Sequence, residues 1–287
     1  MKKNLWKVGC TLICLFTTLV ATTAKGQSAT FKIASYNIRY AADQDEKSGN
    51  SWQIRKIPLA GLIQRHQFDI VGTQEGNSAQ LLELQALLPE FDFIADPYGG
   101  KGDLHNTAIL YKKDTFLALD SGVFWLSDTP DVPSIGWDAS DRRICQWVKF
   151  KDKKSGKEFF VFNAHFYWRK QTAREKSGPL VARKIKAIGG NYPIILLGDL
   201  NSTSTTKQIA ALKRGLKDSY EVTETPRKGI EGTAFPGGVF QGIPKNRIDY
   251  IFVTPKVRVM DYEVISDVYD TDRYPSDHLP VSSVILF

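Results

Sequence analysis

"ILLGDLNSTS", residues 195–204, is an apolar run that stops abruptly on an acid, an amide and three hydroxyls. Its apolar part has the length of a buried strand. Side chains alternate along a strand, so Asp199 and Asn201, two apart, share a face if the strand runs that far. That would set a carboxylate beside a carboxamide where the chain leaves the core. The same letters also spell a turn, because Asp, Asn and Ser are ordinary turn residues. Neighbouring segments bear on the choice.

The same feature recurs at other strand-like segments. "SYNIRY" puts Asn37 at the end of one run, and "VGTQEG" puts Glu75 after another. "FNAHFYW" carries His165, "NRIDYIFV" holds Asp249 within an apolar run, and "YPSDHLPV" sets Asp277 and His278 before the last one. Each has a plain structural reading: turn residues, a satisfied core histidine, or Asp249 paired with Arg247. A buried acid in a strand is nevertheless costly unless it is paired or binds a metal.

Short apolar or alternating runs fill residues 28–287, among them "FKIASYNI", "FDIVGTQ", "RICQWVKF", "KEFFVFNAHF" and "VSSVILF". They read as roughly ten strands, with "KDKKSGKE" at 151–158 as a hairpin turn. Three segments have helical spacing. "SWQIRKIPLAGLIQRH" is one despite Pro58, and "NSAQLLELQALL" is capped by Asn77 and Ser78. The third lies in "RKQTAREKSGPLVARKIKAI", where Gly178 and Pro179 are expected to kink or restart the helix. Many strands with few helices predict an α/β fold of two mostly antiparallel or mixed sheets, packed face to face, with helices outside. One domain is expected over residues 27–287.

The first 26 residues are of another kind. Lys2, Lys3 and Lys7 precede the apolar "VGCTLICLFTTLVA", and small residues follow. This is the pattern of a signal peptide, with cleavage near Ala24–Gln27. The run is too short to span a bilayer, which takes about 20 residues, so no membrane anchor is expected. Neither Cys10 nor Cys14 has the setting that lipidation would want. Export removes Lys2, Lys3, Lys7 and Lys25 and brings the net charge from +7 to +3. That is too mild for a dedicated polyanion binder. Cys145 alone remains, which excludes an internal disulfide. In "RRICQWVKF" it reads as a core-facing strand residue.

"GTQE", "SGVFWLSDTPD", "GWD", "RRICQWVKF", "GDLN" and a terminal "SDHLPV" together resemble the endonuclease/exonuclease/phosphatase superfamily, metal-dependent phosphohydrolases of the pancreatic deoxyribonuclease type. The likeness runs from about residue 31 to 287 and is strongest to the secreted bacterial branch. It implies a four-layer α-β-β-α sandwich with the active site at one edge of the two sheets.

The resemblance also implies roles. Asn37, Glu75 and Asp277 are oxygen ligands suited to Mg²⁺ or Mn²⁺. Asp199 is the base that places the attacking water, and Asn201 holds that water or a phosphate oxygen. His278 meets the phosphate, its tautomer fixed by Asp249, with His165 on the other side. Arg143 clamps a phosphate oxygen, and Asn106 and Tyr167 join it on the substrate side. Relatives commonly read "NTHFDH" where this chain has "NAHFYWR", so Tyr167 and Trp168 stand where an acid and a histidine are usual. They could form an aromatic wall for a base or sugar.

The expected activity is exported, divalent-metal-dependent hydrolysis of a phosphodiester of nucleotide or single-stranded nucleic-acid type, by a monomer. Alternatives are a phosphomonoesterase, an inositol- or lipid-headgroup phosphohydrolase, or a non-catalytic binding module on the same fold. The complete set of site residues argues against the last.

Overall fold

The computed structural model describes residues 1, 28–99 and 107–287. The signal-like segment and Asn106 lie outside them. The chain forms β1 (Thr30–Asn37), α1 (Asp43–Lys47), α2 (Trp52–Arg65), β2 (Ile70–Gln74), α3 (Ser78–Leu87), β3 (Phe91–Ile94) and β4 (Ala108–Lys112). β5 (Phe116–Trp125), β6 (Ile144–Asp152), β7 (Glu158–His165), α4 (Gln171–Gly189), β8 (Ile194–Asp199) and α5 (Lys207–Lys213) follow. Last come β9 (Lys217–Asp218), α6 (Ser219–Val222), β10 (Asp249–Val253), β11 (Arg258–Val259), β12 (Glu263–Val264) and β13 (Val281–Leu286).

Two sheets result. One runs β11-β13-β1-β2-β4-β3, with β12 also on β13, and the other runs β5-β6-β7-β8-β10-β9. In each the central pair is parallel, β1 with β2 and β7 with β8, and all other pairings are antiparallel. This decides where the site can be. The carboxyl ends of β1, β2, β7 and β8 gather at one edge of the stack. The antiparallel partners β10 and β13 begin at that same edge. One sheet edge therefore collects Asn37, Glu75, His165, Asp199, Asp249, Asp277 and His278.

Alternation along β8 shows how the layers are held. Ile195 and Leu197 pack into the core between the sheets, together with Ile33, Ile70, Val161 and Ile251. Ile194 and Leu196 face the other way and pack on Leu180, Val181 and Ile185 of α4 and on Ile209 and Leu212 of α5. β1 behaves alike, with Ala34 and Tyr36 turned to α2 and α3. The order is thus helices, sheet, sheet, helices. Phe31, Phe116, Phe159 and Phe287 close the inter-sheet core at the end remote from the site, in contacts 4.8–5.8 Å between ring centres. Each buried ring contributes roughly 1.5–3 kcal/mol.

α2 runs through Pro58, and α3 starts on a capping box in which Asn77 accepts from Gln80 N while the Gln80 side chain returns to Asn77 N. The expected break at Gly178–Pro179 is absent, and α4 continues uninterrupted to Gly189. Gly178 is there for packing: a methyl group on it would stand 2.4 Å from the Gln208 carbonyl oxygen, so α4 and α5 meet at that point. Tertiary contact overrides the local cost of glycine and proline in a helix. Cys145 is fully buried, and burial pushes its thiol well up. Among the described residues no helix is long and apolar enough to cross a membrane.

Candidate active site

Asn37 closes β1 and is fully buried. Its Nδ2 donates to Glu75 Oε1 at 3.2 Å and, across the gap between the sheets, to Asp199 Oδ2 at 3.0 Å. Its Oδ1 accepts from Arg39 N at 3.0 Å. Glu75 follows β2 directly with φ +69°, a left-handed conformation that costs a non-glycine residue roughly 1–3 kcal/mol. In that conformation its carboxylate faces Asn37. Asp277 comes from the loop before β13, where Ser276 Oγ donates to the Asn37 carbonyl at 2.7 Å and so ties the two loops together. Asp277 Oδ2 lies 3.5 Å from Arg39 Nη1, and Asp45 holds that guanidinium through two further bonds of 3.0 and 3.2 Å.

These donors are all oxygen, and two of them are acids that repel. Burial pushes the Asp277 carboxyl up, His278 pulls it down, and the Glu75 charge pushes it up again. A buried acid pair of this kind fits a hard divalent cation, which would relieve both the desolvation and the repulsion. Gly238 borders it with a bare Cα, where a methyl group would stand 3.3 Å from Asp277 Oδ2. A second cluster, Asp199, Asp249 and His278, keeps its ligand atoms within 4.8 Å of one another and is of a kind that could hold a metal. Its atoms are already engaged with one another. His278 Nδ1 donates to Asp249 Oδ2 at 2.9 Å, and Thr233 Oγ1 donates to the same oxygen at 2.6 Å. This cluster is better suited to moving or holding a proton.

Asp199 ends β8 and is paired in register with His165 on one side and Asp249 on the other. Its Oδ2 lies 3.5 Å from His165 Nε2 and 3.8 Å from His278 Nε2. Burial first, and the Asp249 charge next, push its carboxyl up to about 7. His278 moves well above the ordinary imidazole value. Burial opposes this, and the charges of Asp249 and Asp199 outweigh it. The pair is therefore a near-neutral acid beside an imidazolium.

Asn201 reaches Asp199 by a different route from the one alternation predicts. The strand stops at Asp199, and Asn201 sits beyond it in a bend with φ +46°. Its N–H donates to Asp199 Oδ1 at 2.9 Å, an Asx turn, and its Nδ2 donates to the Phe166 carbonyl at 3.0 Å. The turn letters and the site are the same object. Asp249 does not pair with Arg247, whose guanidinium binds Asp218 at 2.8 and 3.2 Å.

Arg143 stands just ahead of β6, the strand beside β7. It is nearly buried, donates to the Arg142 carbonyl at 3.0 Å, and has its guanidinium 5.4 Å from the Tyr167 ring centre. Tyr167 is 5 % exposed and its hydroxyl meets Ser140 Oγ at 2.7 Å, so it supports Arg143 from beneath. Trp168 is 53 % exposed, with the Arg169 guanidinium 4.3 Å from its ring centre. Sequence reasoning missed Thr233 and Arg39. Arg39 sits in a quoted segment, "SYNIRY", whereas Thr233 lies in a loop with no pattern to reveal it.

Residues 34–278 match the model of the Endonuclease/Exonuclease/phosphatase family. A mannosyl-6-phosphatase of Bacteroides thetaiotaomicron is 40% identical with a TM-score of 0.85, over 90% of this chain and 100% of that one. Another family protein from the same species is 39% identical with a TM-score of 0.85, over 91% and 99%. An uncharacterized protein of Acanthamoeba polyphaga mimivirus is 31% identical over 89% of this chain and 99% of its own length. The chain belongs to the endonuclease/exonuclease/phosphatase family and is a hydrolase of phosphoester bonds.

Proposed function

We propose that this chain is an exported, divalent-metal-dependent phosphatase that removes phosphate from a sugar. The observation that carries the chemistry is Asp199, a buried acid raised to about 7 and set between two imidazoles, Asn37 and Asn201. An acid with that affinity for protons suits a general base near neutral pH. The substrate class is supported by the 40% identity to a mannosyl-6-phosphatase and by the mild net charge left after export.

In this reading Asn37, Glu75 and Asp277 hold Mg²⁺ or Mn²⁺. The ion, when bound, neutralises phosphoryl charge and polarises the P–O bond. Asp199 orients a water in line with the leaving oxygen and takes its proton. Asn201 fixes the Asp199 carboxylate through its backbone N–H. His278, kept protonated by Asp249, donates Nε2–H to a phosphoryl oxygen as charge builds there. His165 and Arg143 approach the phosphate from the side of β6 and β7. A second reading, a diester of nucleotide type, draws on exposed Trp168, on which a base could stack.

The test is hydrolysis by residues 27–287 with Mg²⁺ or with EDTA. The substrates are mannose 6-phosphate, p-nitrophenyl phosphate, bis-p-nitrophenyl phosphate and a single-stranded oligonucleotide. Turnover of the two monoesters, abolished by EDTA and lowered about 10²-fold or more in Asp199→Ala, is expected. Metal-independent turnover, or turnover confined to the two diesters, would overturn the proposal.

A further inference from the structure

A groove of about 500 Å³ opens beside Asn201, between the start of α4 and the chain leaving β8. Its walls come from Gln171 and Arg174 on α4, Thr203 and Thr205 after β8, and Asn246 ahead of β10. All three segments end or begin at the sheet edge that carries Asp199, and the groove shares Asn201, whose N–H holds Asp199, with the reaction site. The contact of Gly178 with Gln208 fixes its base, and the Gln208 side chain donates to Ser202 Oγ, which steadies the wall after β8. The groove is thus formed in advance of any ligand.

The lining says what could occupy it. Ile248 is its one apolar side chain and it has no aromatic. A nucleobase would want a ring to stack on, and an acyl chain would want apolar walls. A second phosphate would want a cation with bonds to give. Here Arg174 is turned to the Trp168 carbonyl, and the exposed Lys207 stands 3.6 Å from the Glu175 carboxylate, which offsets its charge within the groove. The exposed residues of the lining are Gln171, Thr203, Thr205, Lys207 and Asn246, and all but the lysine carry groups that both donate and accept. Their match is a neutral ligand rich in hydroxyls.

We infer that this groove is a subsite for the sugar next to the phosphorylated one. The substrate is then a phosphorylated oligosaccharide, and a free hexose phosphate fills the site only in part. This rests on the sugar-phosphatase reading above.

The experiment compares kcat/KM for mannose 6-phosphate and for a mannobiose bearing that phosphate, in wild type and in Thr205→Val and Asn246→Ala. p-Nitrophenyl phosphate is a third substrate. Wild type should prefer the disaccharide by about tenfold or more, the worth of one or two net hydrogen bonds. In the variants that ratio should fall toward one. Equal kcat/KM for the two sugars, or a preference that survives both substitutions, would overturn the subsite and leave the phosphatase reading standing. Turnover of p-nitrophenyl phosphate with neither sugar hydrolysed would overturn the sugar reading itself, and the subsite with it.

Discussion

Asp199 illustrates how one position can serve stability poorly and chemistry well. An unfolded aspartate titrates near 3.9, and this one is pushed up to about 7 by burial and by Asp249. Between those values the folded chain binds more protons at this site than the unfolded chain does. Stability therefore falls as pH rises through the window, the reverse of an ordinary salt-bridged aspartate. We predict that the metal-free protein loses stability in urea as pH goes from 4 to 7, and that Asp199→Asn flattens that slope. An equal slope in wild type and variant would place the cause elsewhere. The sequence showed the acid and its neighbours but not the shift, because the shift needs Asp249, which is 50 residues away in the chain and directly opposite in the sheet.

Elements meet at the site through Arg55 of α2, a fully buried arginine with no carboxylate partner in hydrogen-bond contact among the described residues. Its Nη1 donates to the carbonyls of Ile38 at 3.0 Å and Pro275 at 2.8 Å, and its Nε to Asn50 at 2.9 Å. Two of those carbonyls belong to the loops that deliver Asn37 and Asp277. The rings of Trp52 and Phe240 lie 5.5 and 4.9 Å from the guanidinium carbon. Arg55→Met should cost about 3 kcal/mol or more in urea unfolding, because several buried carbonyls lose their donor. Arg55→Lys should restore part of that, having three donors but no planar fork. A loss under 1 kcal/mol in Arg55→Met would show that the loops hold themselves. The "RK" of α2 was visible as letters, yet nothing local says that an arginine on a helix reaches past it into two loops.

At the scale of the whole molecule the two sheets are joined by more than apolar packing. Asn163 of β7 donates to the carbonyls of Thr73 and Ala108, each at 2.8 Å, and accepts from Gln74 Nε2 at 2.7 Å. Gly72 lies against it, and a methyl group there would stand 2.8 Å from Leu197. This polar pin sits just below the site and fixes one sheet's offset on the other. Asn163→Ala should destabilise the fold by about 2–4 kcal/mol, and it should lower kcat as Asn37 and Asp199 lose their mutual placement. Unchanged kcat in a measurably destabilised variant would confine the pin to stability.

The sequence by itself determined the strands, the capped helix after β2, the hairpin at 151–158 and the set of polar residues at strand ends. Those are local properties: alternation, cap chemistry and turn residues act over a few positions. Tertiary structure decided which ends meet. The parallel pairs bring four carboxyl ends to one edge, and the antiparallel partners start there, so residues from Asn37 to His278 converge over distances no local pattern encodes. It also overruled local cost at Gly178 and Pro179, and it gave Arg247 to Asp218 and Asp249 to His278. Pairing and burial are set by what packs across from a residue, and the charge each group carries follows from them.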